Sequence, residues 1–206
     1  MKILHLYCSP RGRASESYRL SRSILDRLLE RHPSARVVER ALAAGAPSHV
    51  DGDYAAVLGG MRAADAAPAR GSLDESDRLI RELEEADRLV IGTPMHNYTV
   101  PSALKAWIDH VVRVHRTFLA TPEGKTGSLR DRPVFVAVSS GGRYSHGEAR
   151  QPDFLTPYLI AVLNTIGLRD IAFFSVEGAA LGPQALATAR ERAARRVAEH
   201  FATVAA

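Results

Sequence analysis

Cysteine is nearly absent: Cys8 is the single one among 206 residues, so no internal disulfide can form and a reducing compartment is the natural setting. No apolar run is long enough to span a membrane, and no signal-peptide-like apolar core is present, so the expected location is the cytoplasm. Basic residues form no block. The formal net charge of +4 is spread over arginines interleaved with acidic residues, without the patch, aromatic interleaving or module of a nucleic-acid binder. A surface of that sign can still concentrate an anionic ligand. Three glycines in dinucleotide-fold spacing do not follow the first apolar run, nor does a Gly-Lys-Ser/Thr ending, which sets aside a classical dinucleotide or ATP site. His110 and His115 lie off the i, i+4 spacing of a helical metal pair, so no metal is expected. There is no internal repeat and no low-complexity tract.

What is present reads as alternating strands and helices. Hydrophobic content of 46% and charge of 24% are ordinary for a globular protein, and the length suits one α/β domain over residues 1–206. Leu89-Val90-Ile91-Gly92-Thr93 is a short uninterrupted apolar run, the mark of a central parallel strand covered on both faces. Lys2 to Tyr7, Ala35 to Arg40, Val134 to Val138 and Ile171 to Val176 supply four more strands. Helical periodicity follows at Tyr18, Leu20, Ile24, Leu25, Leu28, Leu29 and at Leu104, Trp107, Ile108, Val111, Val112. A small helix is expected from Tyr54 to Met61, within a stretch rich in Ala, Gly, Pro and Asp. Ser72-Leu73-Asp74-Glu75 reads as a capping box opening a helix with Leu79, Ile80 and Leu83. Pro101, Pro157 and Pro183 suit the first turns of helices, and Gly167 suits a stop. Right-handed crossovers then give a doubly wound parallel sheet of five strands in the order 2-1-3-4-5, with helices on both faces.

Three of the strands run into loops that are rich in polar groups or glycine. In such sheets ligands collect beyond the carboxyl ends of the strands. The first loop offers Ser9, Ser15 and Ser17 near a helix N terminus, a place where hydroxyls and unpaired N–H groups can hold one phosphate monoester. Serines there also serve as plain caps and turn formers, and the loop alone leaves both readings open. The second loop is Met95-His96-Asn97-Tyr98; the third is Ser139-Ser140-Gly141-Gly142, whose glycines let backbone approach a planar ligand. One phosphate site, an amide between large side chains and a glycine loop suit a phosphorylated planar heterocycle, and flavin mononucleotide (FMN) fits. Asn97 can hydrogen-bond the pyrimidine edge of such a ring.

With these residues in place, the chain resembles the FMN-dependent NADH azoreductase branch of the flavodoxin-like NAD(P)H:quinone oxidoreductases along nearly its whole length. The resemblance is carried by Ser9 with Ser15-Glu16-Ser17, by Pro94 to Tyr98 with Val100-Pro101-Ser102 and Leu104-Lys105, by Ser139 to Gly142, by Thr156-Pro157-Tyr158-Leu159 and by Glu177-Gly178. It implies a flavodoxin-like fold, tightly bound FMN with its phosphate at Ser9 and Ser15 to Ser17, ring contacts from Met95 to Tyr98 and Ser139 to Gly142, and a homodimer with the active site at the interface. It also implies NADH or NADPH as donor and a quinone or azo compound as acceptor, two electrons at a time through one shared site. His96 stands where family members often carry tyrosine, and Ala120 where some carry another aromatic, which implies a more open pocket or a shifted preference. The loop from Arg143 to Pro152 departs from the family wording.

In that chemistry the flavin reacts and the side chains position, so no catalytic side chain is expected. A flavodoxin-type electron carrier that docks to protein partners is the alternative; such carriers are usually acidic around the flavin, whereas this chain is net basic. A flavin-free regulatory module or an esterase using Ser9 is a third reading, but Ser9 lacks the Gly-x-Ser-x-Gly elbow. Cys8, without a partner, reads as a small packed residue.

Overall fold

The computed structural model describes residues 1–59, 71–145, 147 and 149–203. Its central sheet has five parallel strands: β1 (Lys2–Tyr7), β2 (Arg36–Ala41), β3 (Arg88–Pro94), β6 (Val134–Ser139) and β7 (Ile171–Val176), in the order β2-β1-β3-β6-β7. Two further strands, β4 (Phe118–Thr121) and β5 (Gly124–Gly127), pair antiparallel with each other outside this sheet. The expected order 2-1-3-4-5 therefore becomes 2-1-3-6-7. The five-stranded parallel sheet is as expected, but a hairpin is inserted between the third and fourth sheet strands. Its sequence signal was Pro122-Glu123-Gly124 between two short runs, with Gly124 at φ +128 closing the turn. The hairpin rests on the turn at Gly167 through glycine on glycine: a methyl group at Gly127 would lie 2.2 Å from the Gly167 nitrogen.

The helices are α1 (Glu16–Arg31), α2 (Gly52–Leu58), α3 (Ser72–Glu84), α4 (Ser102–Val111), α5 (Leu155–Thr165) and α6 (Pro183–Thr203). Apolar residues recurring at helical spacing put α1 and α6 against one face, where Ile24, Leu25 and Leu28 meet Ile3, Val90, Phe135 and Phe201. The other face receives α3, α4 and α5 through Leu79, Leu83, Leu104, Trp107, Leu159 and Leu163. β3 and β6, covered on both sides, are buried almost throughout, which is why they read as continuous apolar runs.

Two helix starts differ from the sequence reading. The small helix near Tyr54 is α2, and positions 60 and 61 of the expected span lie outside the described residues. The capping box at Ser72 does not form: Gly71, at φ 62, occupies the cap position. Asp51 takes over instead, accepting from the N–H of Tyr54 (2.8 Å) and of Ser72 (3.2 Å), so one carboxylate serves the starts of α2 and α3. Glu75, the other half of the expected box, accepts from Ser48. A tertiary partner has displaced a local one.

Candidate active site

The sheet order places β1, β3 and β6 side by side, so the loops that leave their carboxyl ends form one rim. Backbone hydrogen bonds join neighbouring exits: the Cys8 N–H donates to Gly92 O (3.1 Å), Met95 to Ser139 O (2.8 Å) and Ser140 to Val176 O (3.0 Å). The chain goes from β1 outward to β2 and then returns to β3 on the other side of β1, a switch point of the kind at which open α/β sheets bind ligands.

The first loop bends through Gly12 at φ +53 and a short 3-10 turn (Gly12–Ala14) before α1 begins. Ser15 is the cap of α1: its hydroxyl accepts from Tyr18 N–H (3.2 Å), donates to Gly12 O (2.8 Å) and lies 3.3 Å from the Ser17 hydroxyl. The Ser9 hydroxyl accepts from Arg11 N–H. All three serines are buried. Ser15 thus fills the cap role that its residue type allowed, in the first turn where helix N–H groups lack intrahelical partners. Glu16 points its chemistry elsewhere: its carboxylate takes two hydrogen bonds from Arg190 of α6 (2.8 and 2.7 Å), and that guanidinium holds its pKa below the usual carboxylate range. It clamps α6 to the start of α1.

Gly92 decides how closely α1 approaches. A methyl group there would lie 2.6 Å from Ser21 Oγ and 3.0 Å from the Ser17 carbonyl, so a bare backbone in β3 admits the first turns of α1. Ser21 is fully buried and its hydroxyl sits 2.9 Å from Nε2 of His5 on β1. Cys8 is packed as expected; its thiol donates to Gly92 O (3.3 Å), and burial pushes its pKa up to about 12, which keeps it protonated.

The second loop is a tight turn. His96 and Thr99 exchange both backbone hydrogen bonds (2.9 and 3.0 Å), with Asn97 at φ 48 and Tyr98 at φ 69 between them. Two consecutive left-handed residues define a primed turn, for which asparagine is among the best-suited non-glycine residues. His96, Asn97 and Tyr98 are all exposed, whereas Met95 is partly buried beneath them.

The third loop is fastened from behind. The carbonyls of Ser140, Gly141 and Gly142 accept from the N–H groups of Ala179, Ala180 and Gly178 at 3.0, 3.1 and 3.0 Å. Beyond it, Glu177 accepts from Tyr144 N–H, Ser145 N–H, Ser145 Oγ and Ser175 Oγ; burial works to raise its pKa, and these donors outweigh it and lower it. Gln151, in the loop whose wording departs from the family, is a residue the sequence reading missed. Its side-chain amide donates to Ser140 Oγ (3.0 Å) and reaches Met95 Sδ (3.1 Å), tying the second loop to the third. Only the fold brings it there, since 56 residues separate it from Met95.

Beside the first two loops lies a hollow of about 310 Å³ lined by Pro10, His49, His96, Pro101 and Ala103 among others. Among the described residues no cluster of His, Cys, Asp and Glu is arranged to hold a metal ion, and no helix is long and apolar enough to cross a membrane.

Comparisons with known proteins agree with this geometry. A family model described as a flavodoxin-like fold matches residues 1–201. FMN-dependent NADH:quinone oxidoreductase 4 of Pseudomonas fluorescens is 47% identical over 184 residues, 89% of this chain and 87% of that protein. FMN-dependent NADH:quinone oxidoreductase 5 of Burkholderia lata is 46% identical over 193 residues, 94% of this chain and 93% of that one. Among solved structures, an azoreductase from Bacillus anthracis superposes with a TM-score of 0.80 at 26% identity, covering 96% of this chain and 98% of that one. The chain belongs to the flavodoxin-like fold family and, within it, to the FMN-dependent NADH:quinone oxidoreductases.

Proposed function

We propose that this protein is an FMN-dependent NADH:quinone oxidoreductase that also reduces azo compounds, built as a single FMN-binding domain over residues 1–206. The observation that carries the reading is the shared rim: a helix N terminus ringed by serines, an exposed primed turn carrying an amide, and a clamped glycine loop, on three adjacent strands. These residues fit FMN. Ser9, Ser15, Ser17 and the first-turn N–H groups of α1 hold the phosphate, with only the backbone of Glu16 contributing there. Met95, His96, Asn97 and Tyr98, together with Ser139, Ser140, Gly141 and Gly142, would contact the ring system.

FMN held here would supply the two-electron chemistry that links a nicotinamide donor to a quinone or azo acceptor. The chain's own work is positional. The Asn97 amide orients the pyrimidine edge, the clamped third loop keeps its N–H groups fixed before the reaction, and preorganised groups of this kind need no rearrangement as charge develops. No side chain is assigned a proton; water supplies it.

A homodimer completes the site in this reading. Phe154 (60% exposed) and Tyr98 (47%) sit together, the Phe154 N–H donating to Tyr98 O (3.1 Å), and Ile160 (39%) continues the apolar outer face of α5. A second subunit on that face covers the turn at Asn97. The one buried cysteine supports a cytoplasmic setting. An electron-carrier role finds no support, because the relatives are named as quinone oxidoreductases.

Anaerobic titration of the FMN-loaded protein with NADH, followed by visible absorption, tests the reading. Bleaching that a benzoquinone reverses is the expected result; flavin that binds but is not reduced, or no flavin binding at all, overturns it.

A further inference from the structure

A groove of about 550 Å³ runs beside α6, between that helix, the end of β7 and the segment at Arg143 and Ser145. Leu181, Ala185 and Ala189 give it an apolar side, and Arg143, Arg192 and Arg196 line it together with Glu177 and several neutral polar residues. A second hollow of about 410 Å³ is lined by Gly142, Arg143, Arg150 and Leu181. The two share Arg143 and Leu181, so a continuous arginine-bearing path leads from the glycine loop of the rim to the middle of α6.

Arg190, on the same helix, is spent on Glu16, whereas among the described residues Arg192 and Arg196 form no ion pair. Among the described residues Glu177 is the one carboxylate lining the groove, and both its oxygens already accept hydrogen bonds from Tyr144, Ser145 and Ser175. A volume of this size, part apolar and part cationic, matches a small ligand with anionic groups and an apolar body. Its starting point at Gly142 narrows the class. A ligand that begins at the flavin site and carries its phosphates away from it is a nicotinamide dinucleotide.

Resting on the oxidoreductase reading above, we propose that this groove holds the adenosine diphosphate half of the nicotinamide donor, with Arg192 and Arg196 facing its phosphates and Leu181, Ala185 and Ala189 its adenosine. The groove makes Arg192 and Arg196 donor-specificity residues. They exclude no acceptor, since a quinone has neither phosphate nor adenosine.

The test uses the FMN-loaded protein and the double variant Arg192→Ala, Arg196→Ala, in which alanine preserves helix propensity. Calorimetry with ADP-ribose, the donor without its nicotinamide, reads the groove without turnover. The wild type binds it, the variant binds about tenfold more weakly at low ionic strength, and added salt narrows the gap. In parallel, the ratio of kcat/KM for NADH to that for N-benzyl dihydronicotinamide, a donor lacking phosphate, falls about tenfold in the variant. Equal ADP-ribose affinity in the two proteins, or an unchanged donor ratio, overturns the proposal. Failure of the wild type to oxidise either donor strikes the oxidoreductase reading instead, and the ADP-ribose measurement still decides whether the groove takes this ligand.

Discussion

Gly92→Ala tests the link between packing and cofactor site most directly. The added methyl group would lie 2.6 Å from Ser21 Oγ, 3.1 Å from Ser21 Cβ and 3.0 Å from the Ser17 carbonyl. Comfortable carbon contacts begin at about 3.5 Å, so α1 has to retreat by roughly 1 Å at its first turns. Ser21 cannot turn away cheaply, because its hydroxyl is fully buried and engaged with both His5 and the Tyr18 carbonyl. Overpacking of this kind costs about 1–3 kcal/mol, and the lost freedom of glycine in the unfolded chain returns about 0.4–1 kcal/mol. A net loss of roughly 1–2 kcal/mol follows, which lowers the melting temperature by roughly 2–8 °C for a chain of this length. The same displacement would carry Ser17 away from the proposed phosphate site, so FMN affinity is expected to fall about tenfold. Urea denaturation of the apoprotein and fluorescence titration with FMN measure the two effects. Gly52→Ala is the control, since a methyl group there meets nothing within 4 Å. A Gly92→Ala protein as stable as wild type, with unchanged FMN affinity, refutes the claim that α1 is seated through this glycine.

Asn97→Ala removes the amide and also puts a side chain without hydrogen-bonding ability at φ 48, while Asn97→Gly keeps the turn and removes only the amide. Both variants are expected to weaken FMN or slow its reduction by NADH, and a loss confined to the alanine variant assigns Asn97 to the turn alone. Ser15→Ala with Ser17→Ala is expected to weaken FMN more than riboflavin, which has no phosphate, on top of roughly 1 kcal/mol of stability lost with the Ser15 cap; equal losses for the two ligands move the phosphate site elsewhere. His5 predicts an acid sensitivity. Burial lowers its pKa to about 4 despite the pull of Glu39 3.7 Å away, so between the ordinary value of 6.5 and about 4 the unfolded chain binds a proton the folded one does not. Its contribution to folding stability is therefore intact above pH 6.5, declines by about 1.4 kcal/mol per pH unit below it, and levels off near pH 4; His5→Gln is expected to flatten that slope in urea titrations at stepped pH. Gln151→Leu unties Ser140 from Met95 and is expected to slow flavin reduction with little change in melting temperature, a split that stopped-flow and thermal scans resolve.

The sequence alone determined the alternation of strand and helix, because its signals are local: buried strands read as apolar runs, helices as apolar positions at helical spacing, and proline marks their first turns. From those came the parallel sheet and the three loops, and the wording of the loops carried the flavin. Asn97 was legible as a polar residue at a strand exit. That it sits in a left-handed turn followed by a left-handed Tyr98 was not, since the turn needs Thr99 paired back to His96. What depended on partners distant in the chain was decided only by the tertiary structure. Ser72 and Glu75 spell a capping box, yet Asp51 and Ser48 reach them first. Glu16 was read with the phosphate-binding serines, yet Arg190 of the terminal helix claims its carboxylate. Gln151 carries no local pattern and gains meaning only when the fold sets it between Ser140 and Met95. The hairpin at β4 and β5 was not read from the sequence, although Pro122-Glu123-Gly124 marks its turn, and its place on α5 rests on Gly127 meeting Gly167. A local pattern states what a segment can form; which hydrogen bond a side chain finally makes is settled by whichever competing partner the packed core brings within reach.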